Sequence, residues 1–269
     1  MVKLNYPTGG LQDFEPIGLE DMKEVSLMDR YDTKYVASVN DLPSILADAL
    51  PYYQVLEIND CRIFQYDTLY YDTPDLLLYH FHHSGKRDRY KIRFRNYLES
   101  DLSFFEVKHK NNRGKTSKTR IPMPLEFSRS LTGGMSDFLS VSTPFVSENL
   151  MSSLRVYYQR ITLVSTACKE RVTIDINLRF EHAGRIAAYP GIVIFEVKQE
   201  KIRGSEMVNI LKKYHIRSGA VSKYCLGVIS THEQVKHNRF KTNLQQIKKL
   251  SNKYEQSANF NGYRGVPVV

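Results

Sequence analysis

The sequence predicts an α+β protein built on an antiparallel β-barrel with flanking helices. Three observations lead to this fold class. Strand-like segments alternate apolar and polar residues with period two, as strands with two different faces do. Their polar faces carry paired Glu-x-Lys and Arg-x-Arg residues rather than the scattered Ser, Thr, Lys and Gln of an ordinary solvated face. The apolar faces are spread over many strands with few helices, which a barrel with a polar lumen and an apolar outer wall reconciles.

The bulk composition describes a folded protein with an anionic partner. The chain has 269 residues, with 42% hydrophobic residues, 18 Tyr, 13 Phe and no Trp, which is typical of globular proteins. The net charge of +9 indicates nucleic acid, a membrane surface or a phosphate-rich small molecule as partner. The sequence therefore narrows the partner to polyanions without choosing among them.

Cysteines and apolar runs suggest the compartment. Cys61, Cys168 and Cys225 are far apart and form no CxxC pair, which argues against a disulfide framework and fits a reducing compartment. The N-terminal "MVKLNYPTGGLQDFEP" lacks the apolar segment of a secretory signal. The longest apolar runs, such as "GIVIFEV", are far shorter than the roughly 20 residues of a membrane helix. We expect a cytoplasmic protein without a membrane span.

In the first half of the chain, strands dominate. Residues 1–26 are expected to form an arm, followed by the strand "RYDTKYVAS" and the helix "NDLPSILADAL", capped by Asn40. Next come the strand "RIFQYDTLYYDT" and the helix "PDLLLYHFHH", opened by Pro74. The segments "RYKIRFRNY", "SFFEVKHK" and "KTSKTRIPM" are separated by turn-forming "ESD" and "NNRG", which predicts an antiparallel meander.

The second half continues the pattern. Residues 124–152 are expected to form loop and helix, and the strands "RVYYQRITLVST", "RVTIDINLRF" and "GIVIFEVKQ" follow. The amphipathic helix "SEMVNILKKYH" comes next, and "AVSKYCLGV" closes the patterned region. We divide the chain into an arm (1–26), one domain (27–235) and a basic C-terminal helix and tail (236–269).

One strand shows the charge pattern most clearly. In "RYKIRFRNY", Arg89, Lys91, Arg93 and Arg95 share one face, opposite an apolar face that includes Phe94. Four cations in a row repel one another, so either water solvates them all or an anion lies among them. A half-exposed sheet with a solvated face remains the simple alternative for any single strand.

Two local motifs are rejected as sites. "RGKTS" contains the GKT of a P-loop, but His109 occupies the position of the first glycine and the segment lies between strands. His80, His82 and His83 lack partner ligands at zinc-site spacing.

An ordered set of motifs resembles a known family. From about Asp29 to Val228 the chain carries, in family order, "DRYDTKY", "YYDTPD", "LYHFHHSG", "KIRFR", "FFEVKHK", "KTR", "YYQR", "TIDINLRF", "FEVK" and "SKY". This set resembles the VTC domain, the polyphosphate polymerase domain of the vacuolar transporter chaperone type, in a bacterial stand-alone form. The family belongs to the triphosphate tunnel (CYTH-like) superfamily. The resemblance implies an antiparallel β-barrel whose lumen binds a triphosphate and a divalent metal, Mn²⁺ or Mg²⁺.

The resemblance also implies roles for individual residues. The phosphate- and nucleotide-binding residues would be Lys34, Arg93, Arg95, Lys108, Arg160, Arg171, Lys198 and Lys223. Of these, Arg93, Arg95, Lys198 and Lys223 are the candidate catalytic residues. Glu196 of "FEVK" matches the metal-binding glutamate, and Glu106 and Asp175 are further candidate metal ligands. The first strand departs from the wider superfamily, because it lacks Glu-x-Glu-x-Lys and offers only Asp32 and Lys34.

The expected function is a polyphosphate polymerase that transfers the γ-phosphate of ATP to a growing polyphosphate chain, with ATP and inorganic polyphosphate as partners. Cations outnumber acids on the inward faces, which favours a second polyanion beside the nucleotide. The basic residues are Arg30, Lys34, Arg89, Lys91, Arg93, Arg95, Lys108, Lys110, Arg160, Arg171, Lys198 and Lys223, and the acids are Asp32, Glu106, Asp175 and Glu196. No phosphate-sensing SPX domain is visible in the sequence.

Two alternatives stay open. The same tunnel could serve an inorganic or nucleoside triphosphatase, with water as the acceptor. A non-catalytic module that binds polyphosphate or RNA is the second alternative. RNA is disfavoured, because readers of single strands need aromatic rings on the same face as their cations, and "RYKIRFRNY" has them on opposite faces.

Overall fold

The structure is a computed structural model that describes residues 10–24, 31–124, 131–200 and 204–260. Arg30, residues 1–9 of the expected arm and residues 261–269 of the expected tail lie outside these ranges. Within the described ranges, no helix combines the length and the apolar character that crossing a membrane requires.

The described residues form runs of strands separated by short helices, as in α+β folds. The strands are β1 (Pro16–Ile17), β2 (Tyr31–Ser38), β3 (Tyr53–Leu56), β4 (Phe64–Asp72), β5 (Arg89–Tyr97), β6 (Leu102–Lys110), β7 (Thr116–Met123), β8 (Met151–Ser165), β9 (Glu170–His182), β10 (Arg185–Tyr189) and β11 (Ile192–Gln199). The helices are α1 (Asp21–Glu24), α2 (Leu42–Ala49), α3 (Leu77–Ser84), α4 (Gly134–Ser142), α5 (Glu206–Lys213), α6 (Lys223–Thr231) and α7 (Lys241–Phe260).

All the strands belong to one 11-stranded sheet. The main path is β2-β11-β9-β8-β4-β5-β6-β7, with antiparallel neighbours. Among the described residues β2 and β7 do not pair with each other. The α+β antiparallel fold with flanking helices is therefore confirmed, but the sheet is not a closed barrel.

The outer face of the sheet is apolar and covered by helices. Phe195 on β11 packs in one cluster with Leu46 of α2 and Leu211 of α5. Phe94 on β5 packs in a second cluster with Leu139 of α4. Each fully buried side chain of this size contributes about 1.5 to 3 kcal/mol, so the outer face supplies the main core, as the sequence predicted.

Helix α6 packs on the opposite, inner face at one end of the sheet. Its Cys225, Leu226 and Val228 share a core cluster with residues of β8 and β9. Gly227 permits this close approach, because a Cβ there would lie 2.5 Å from Leu154 Cδ2 and 2.6 Å from Phe180 Cδ1. The part of the inner face that α6 covers is therefore apolar, and the part that it does not cover is polar.

Two expected helix starts are wrong, for local reasons. Asn40 lies in a 3₁₀ turn before α2, with its backbone N–H donated to Ser38 Oγ at 3.2 Å. Helix α3 begins at Leu77 rather than at Pro74, because Thr73 Oγ1 accepts the N–H of Leu77 at 2.9 Å. Thr73 thus supplies a side-chain acceptor at the start of α3, whereas Ser38 caps the 3₁₀ turn and not α2 itself.

The short strands β1, β3 and β10 were not predicted. Strand β3 pairs with β8 and with β1, and β10 pairs with β9. Two to five residues give too little alternation to identify a strand. The glycine of "RGKTS", Gly114, has φ 81 in the turn between β6 and β7, so the segment opens no helix and is not a P-loop.

Candidate phosphate-binding site

The candidate site is the polar part of the inner face, formed by alternate residues of several strands. Because successive side chains point to opposite faces, Arg93 and Arg95 lie on the inner face while Ile92 and Phe94 lie in the outer core. The expected residues brought together here are Lys34, Arg93, Arg95, Glu106, Lys108, Arg160, Arg171, Asp175, Glu196, Lys198 and, from the first turn of α6, Lys223.

Glu196 is held between two lysines. Lys34 lies directly opposite it on β2 and contacts Oε1. Lys198 Nζ lies 2.9 Å from Oε2 and donates to Thr173 Oγ1 at 3.1 Å. Burial raises the pKa of Glu196, but Lys198 and Lys34 outweigh burial and hold that pKa well below its usual value. The carboxylate is thus ionised, and its side chain remains 14% exposed toward the lumen.

Glu106 is held in the same way, by one expected and one unexpected cation. Arg93 Nη2 lies 2.6 Å from Oε2, and Lys118 of β7 contacts Oε1. Burial raises the pKa of Glu106, but Arg93, Arg95 and Lys118 together lower it. The sequence interpretation missed Lys118, although the quoted "KTR" begins with it and its alternation along β7 would have placed it on the inner face.

Asp175 connects the sheet to α6. Arg160 makes a bidentate contact with it, with Nε 2.6 Å from Oδ1 and Nη2 2.9 Å from Oδ2. Lys223 contacts Oδ2 as well. Burial raises the pKa of Asp175, whereas Arg160 and Lys223 lower it. This carboxylate therefore fixes one guanidinium and one ammonium side by side.

The charges of distant strands act on one another. Burial lowers the pKa of Lys108 on β6, while Glu196 on β11 and Asp32 on β2 raise it. The charge of Lys34 on β2 also acts on Lys91 of β5. Residues of β2 and β5, which are far apart in the order of the sheet, also line one cavity, so the sheet rolls around a shared lumen.

Among the cations of the lumen, Lys91, Arg95 and Lys108 form no ion pair with a carboxylate of the described residues. Lys91 donates to Ser222 Oγ at 3.0 Å, and Arg95 Nε donates to Thr68 Oγ1 at 3.2 Å. Lys108 makes no ion pair with any residue that the structure describes. Burial lowers the pKa of Lys91 to about 8. Buried charges are costly without an opposite charge, so this group points to an anionic ligand.

Tyrosines share the lumen with the cations, so the expected separation of aromatic rings from cations does not hold for the whole site. Tyr66 and Tyr158 stack with ring centroids 4.9 Å apart. The Arg160 guanidinium lies 4.9 Å from the centre of the Tyr66 ring, and that of Arg95 lies 5.3 Å away. Rings and cations lie on opposite faces of β5, but they share the lumen, because the neighbouring strands β4 and β8 supply the rings. Tyr158 is only 3% exposed, however, so its ring offers no open face to a base.

An open cavity of about 580 Å³ adjoins the paired charges. It lies among β2, α3, β5 and the start of α6. Its charged lining residues are Asp32, Lys34, Arg89 and Lys91, and Lys110 lies directly opposite Arg89 on β6. A cavity of this size and charge can take an extended polyanion beside a ligand held by Arg93 and its neighbours.

The carboxylates of the site can hold a divalent metal only if substrate phosphates complete its coordination shell. Within the described parts of the chain, no three His, Cys, Asp or Glu side chains gather as a metal-binding group, and His83 bonds to Asn238 Oδ1 at 2.7 Å. Mg²⁺ is usually bound by one or two carboxylates together with substrate phosphates and water. Glu196 can serve as such a carboxylate, with Glu106 and Asp175 more deeply buried beneath their cations.

Comparison with known proteins gives a family match and several structural matches. The family model of the VTC domain matches residues 29–232. No curated protein matches the sequence. Among solved structures, a candidate adenylyl cyclase from Hippeastrum with a dominant triphosphatase activity is 12% identical with a TM-score of 0.47, covering 78% of this chain and 100% of that one. A candidate adenylate cyclase from Bacillus halodurans is 15% identical with a TM-score of 0.44, covering 72% and 96%.

Proposed function

The chain belongs to the VTC domain family, and from this premise we propose that it is a polyphosphate polymerase that transfers the γ-phosphate of ATP to a growing polyphosphate chain. The observation that carries the proposal is the surplus of positive charge in the lumen. Glu106, Asp175 and Glu196 each pair with two cations of the lumen. The cations that remain require an anion from outside the chain.

The paired cations fit a triphosphate. Arg93 and Arg95 lie two residues apart on one strand, so their guanidinium groups can donate to neighbouring phosphoryl oxygens. Arg160 and Lys223, fixed together on Asp175, offer a second pair of donors. Phosphoryl transfer needs mainly such positioning and charge neutralisation, since the protein contributes little covalent chemistry. No side chain needs to act as the nucleophile.

The reaction requires a second anion in line with the first. A terminal oxygen of the polyphosphate acceptor attacks the γ-phosphorus, a new P–O–P linkage forms, and the bond to the β–γ bridging oxygen breaks to release ADP. Lys91 and Arg89 line the adjoining cavity and can hold the acceptor. A divalent cation, Mn²⁺ or Mg²⁺, would be held by Glu196 and the phosphates, and it would supply neutralisation of the phosphoryl oxygens.

The nearest alternative is a triphosphatase, in which water replaces the acceptor. A hydrolase needs charge for one triphosphate only, because its acceptor is water, which carries no charge to neutralise. The unpaired Lys91 and Lys108 favour the polymerase instead, because they extend the basic surface beyond one triphosphate. A non-catalytic module that binds polyphosphate would use the same cations and would leave ATP unchanged.

The test is incubation of the purified protein with ATP and Mn²⁺, with products separated by size over time. We expect ADP and polyphosphate chains, with added short polyphosphate shortening any lag. Free phosphate as the sole phosphate product at every time point would establish the triphosphatase instead, and unchanged ATP with bound polyphosphate would establish the binding module. The exposed-cation variant Lys169→Ala serves as the control, because Lys169 lies outside the lumen in a loose 3.9 Å pair with Glu200.

A further inference from the structure

Three consecutive residues at the start of α6 contact three different strands. Ser222 Oγ accepts a hydrogen bond from Lys91 Nζ of β5 at 3.0 Å. Lys223 contacts Asp175 of β9. The hydroxyl of Tyr224 donates to a carboxylate oxygen at the end of β4. Residues at the start of a helix point in directions about 100° apart, so one turn can reach three walls of the lumen.

The acceptor of Tyr224 is Asp72, the last residue of β4, which is 0% exposed. Its Oδ1 accepts the backbone N–H groups of Thr73 and Leu78, both at 2.8 Å, and its Oδ2 accepts that of Tyr79 at 2.9 Å. These bonds fix Asp72 between β4 and the first turn of α3. These backbone hydrogen bonds to Asp72 therefore also fix the position of the Tyr224 hydroxyl that donates to it.

The ring of Tyr224 has a second contact that faces the lumen. It stacks on Tyr70 with centroids 4.9 Å apart and planes 29° apart. The Tyr70 hydroxyl accepts a hydrogen bond from Arg93 Nη1 at 3.3 Å. Rotation of α6 about its axis is therefore resisted on both sides of Tyr224, and the same rotation would separate Lys223 from Asp175.

We propose that Asp72 and Tyr224 are positioning residues for Lys223: their hydrogen bond sets the rotation of α6, and with it the place of the Lys223 ammonium in the lumen. Asp72 and Tyr224 are 0% and 2% exposed, so neither is placed to touch the phosphates. The inference rests on the proposed function, because the effect of a displaced ammonium is read on a triphosphate. A misplacement of about 1 Å can reduce the rate of an enzyme by about 100-fold, so a single remote hydroxyl can matter.

The experiment is a double-mutant cycle on Tyr224→Phe and Lys223→Met, measured as kcat/KM for ATP and, in parallel, as the affinity for inorganic tripolyphosphate. We expect Tyr224→Phe alone to lower kcat/KM at least tenfold. In the Lys223→Met background it should change nothing further, because there is no ammonium left to position. Equal losses from Tyr224→Phe in both backgrounds would overturn the proposal and leave the hydroxyl a purely structural role.

Tyr189→Phe is the matched control. The Tyr189 hydroxyl lies 2.7 Å from Ser230 Oγ near the other end of α6, so its loss loosens the same helix away from the lumen. It should lower the melting temperature without lowering kcat/KM. If Tyr224→Phe fails to fold, Asp72→Asn replaces it in the same cycle, and additive losses there overturn the proposal equally.

The two readouts separate this inference from the proposed function. If the parent protein binds tripolyphosphate but makes no polymer from ATP, the polymerase proposal fails and the cycle is completed on binding alone. If the parent makes polymer and Tyr224→Phe equals it in both readouts, the positioning role fails and the polymerase stands.

Discussion

Arg93 and Glu106 lie directly opposite each other on β5 and β6, and both Nε and Nη2 of Arg93 contact Glu106 Oε2, at 2.7 and 2.6 Å. This pair explains how a strand with four cations on one face can fold. The carboxylate neutralises the centre of the row and Lys118 shares it from the other side. Lys91 and Arg95, which lie on either side of Arg93, remain available to a ligand.

The first prediction concerns Arg93 and its neighbour Arg95. Arg93→Ala or Arg95→Ala should each weaken ATP binding by about 1.5 to 3 kcal/mol, the range for hydrogen bonds to charged groups. The double variant should lose less than the sum, because both groups hold one ligand. Calorimetric titration of each variant measures this, with Lys169→Ala as the control. Parent-like affinity in both single variants would mean that the row is merely solvated.

The second prediction concerns Glu196. Glu196→Gln should abolish turnover while the fold persists, because the carboxylate is the best-placed ligand for a divalent cation. The apo variant should also be less stable, since Lys34 and Lys198 lose their shared partner. Bound ATP should restore part of that stability by mass action. Thermal unfolding with and without ATP, alongside a turnover assay, tests both parts, and Glu200→Gln on the exposed surface is the control. Near-parent turnover in Glu196→Gln would mean that Glu106 or Asp175 binds the metal instead, or that the reaction uses no metal.

The third prediction tests the docking of α6. Gly227→Ala should destabilise the protein by about 1 to 3 kcal/mol through overpacking, because the added methyl would meet Leu154 and Phe180 at 2.5 and 2.6 Å. It should weaken tripolyphosphate binding too, since α6 carries Lys223. Gly134→Ala is the control, as no heavy atom lies within 4 Å of a Cβ there. Denaturant unfolding that shows equal stabilities for the two variants would contradict this packing.

The fourth prediction is a loss of affinity at alkaline pH. Burial, with help from Lys108 and Lys34, lowers the pKa of Lys91 to about 8, so Lys91 is charged at pH 7 and loses its proton as the pH rises through 8. An anion binds the charged form, so tripolyphosphate affinity should fall above pH 8 by up to about tenfold per pH unit for each such lysine. Titrations from pH 7 to 9.5 measure the slope, which Lys91→Met should reduce. An unchanged slope in that variant would exclude Lys91 from the binding surface.

The periodicity of the sequence determined which side chains face inward. In "RYKIRFRNY" the alternation alone separates Arg93 from Phe94, because a strand has only two faces. The same rule, applied to "FFEVKHK" and "FEVK", identified Glu106 and Glu196, and the family resemblance added Lys223. Local sequence carries this information because a register error of one residue would bury charges in the outer core.

Only the tertiary structure decided which of these residues meet. The pairing of Glu106 with Lys118, of Asp175 with Lys223 and of Asp72 with Tyr224 each joins segments whose order in the sheet no single strand reveals. The tyrosines of the lumen come from β4 and β8, so the face of one strand could not show them. The open seam between β2 and β7 and the docking of α6 also depend on how the whole sheet rolls. Alternation is a property of one strand, whereas ion pairs and packing depend on distances between strands, which the fold alone sets.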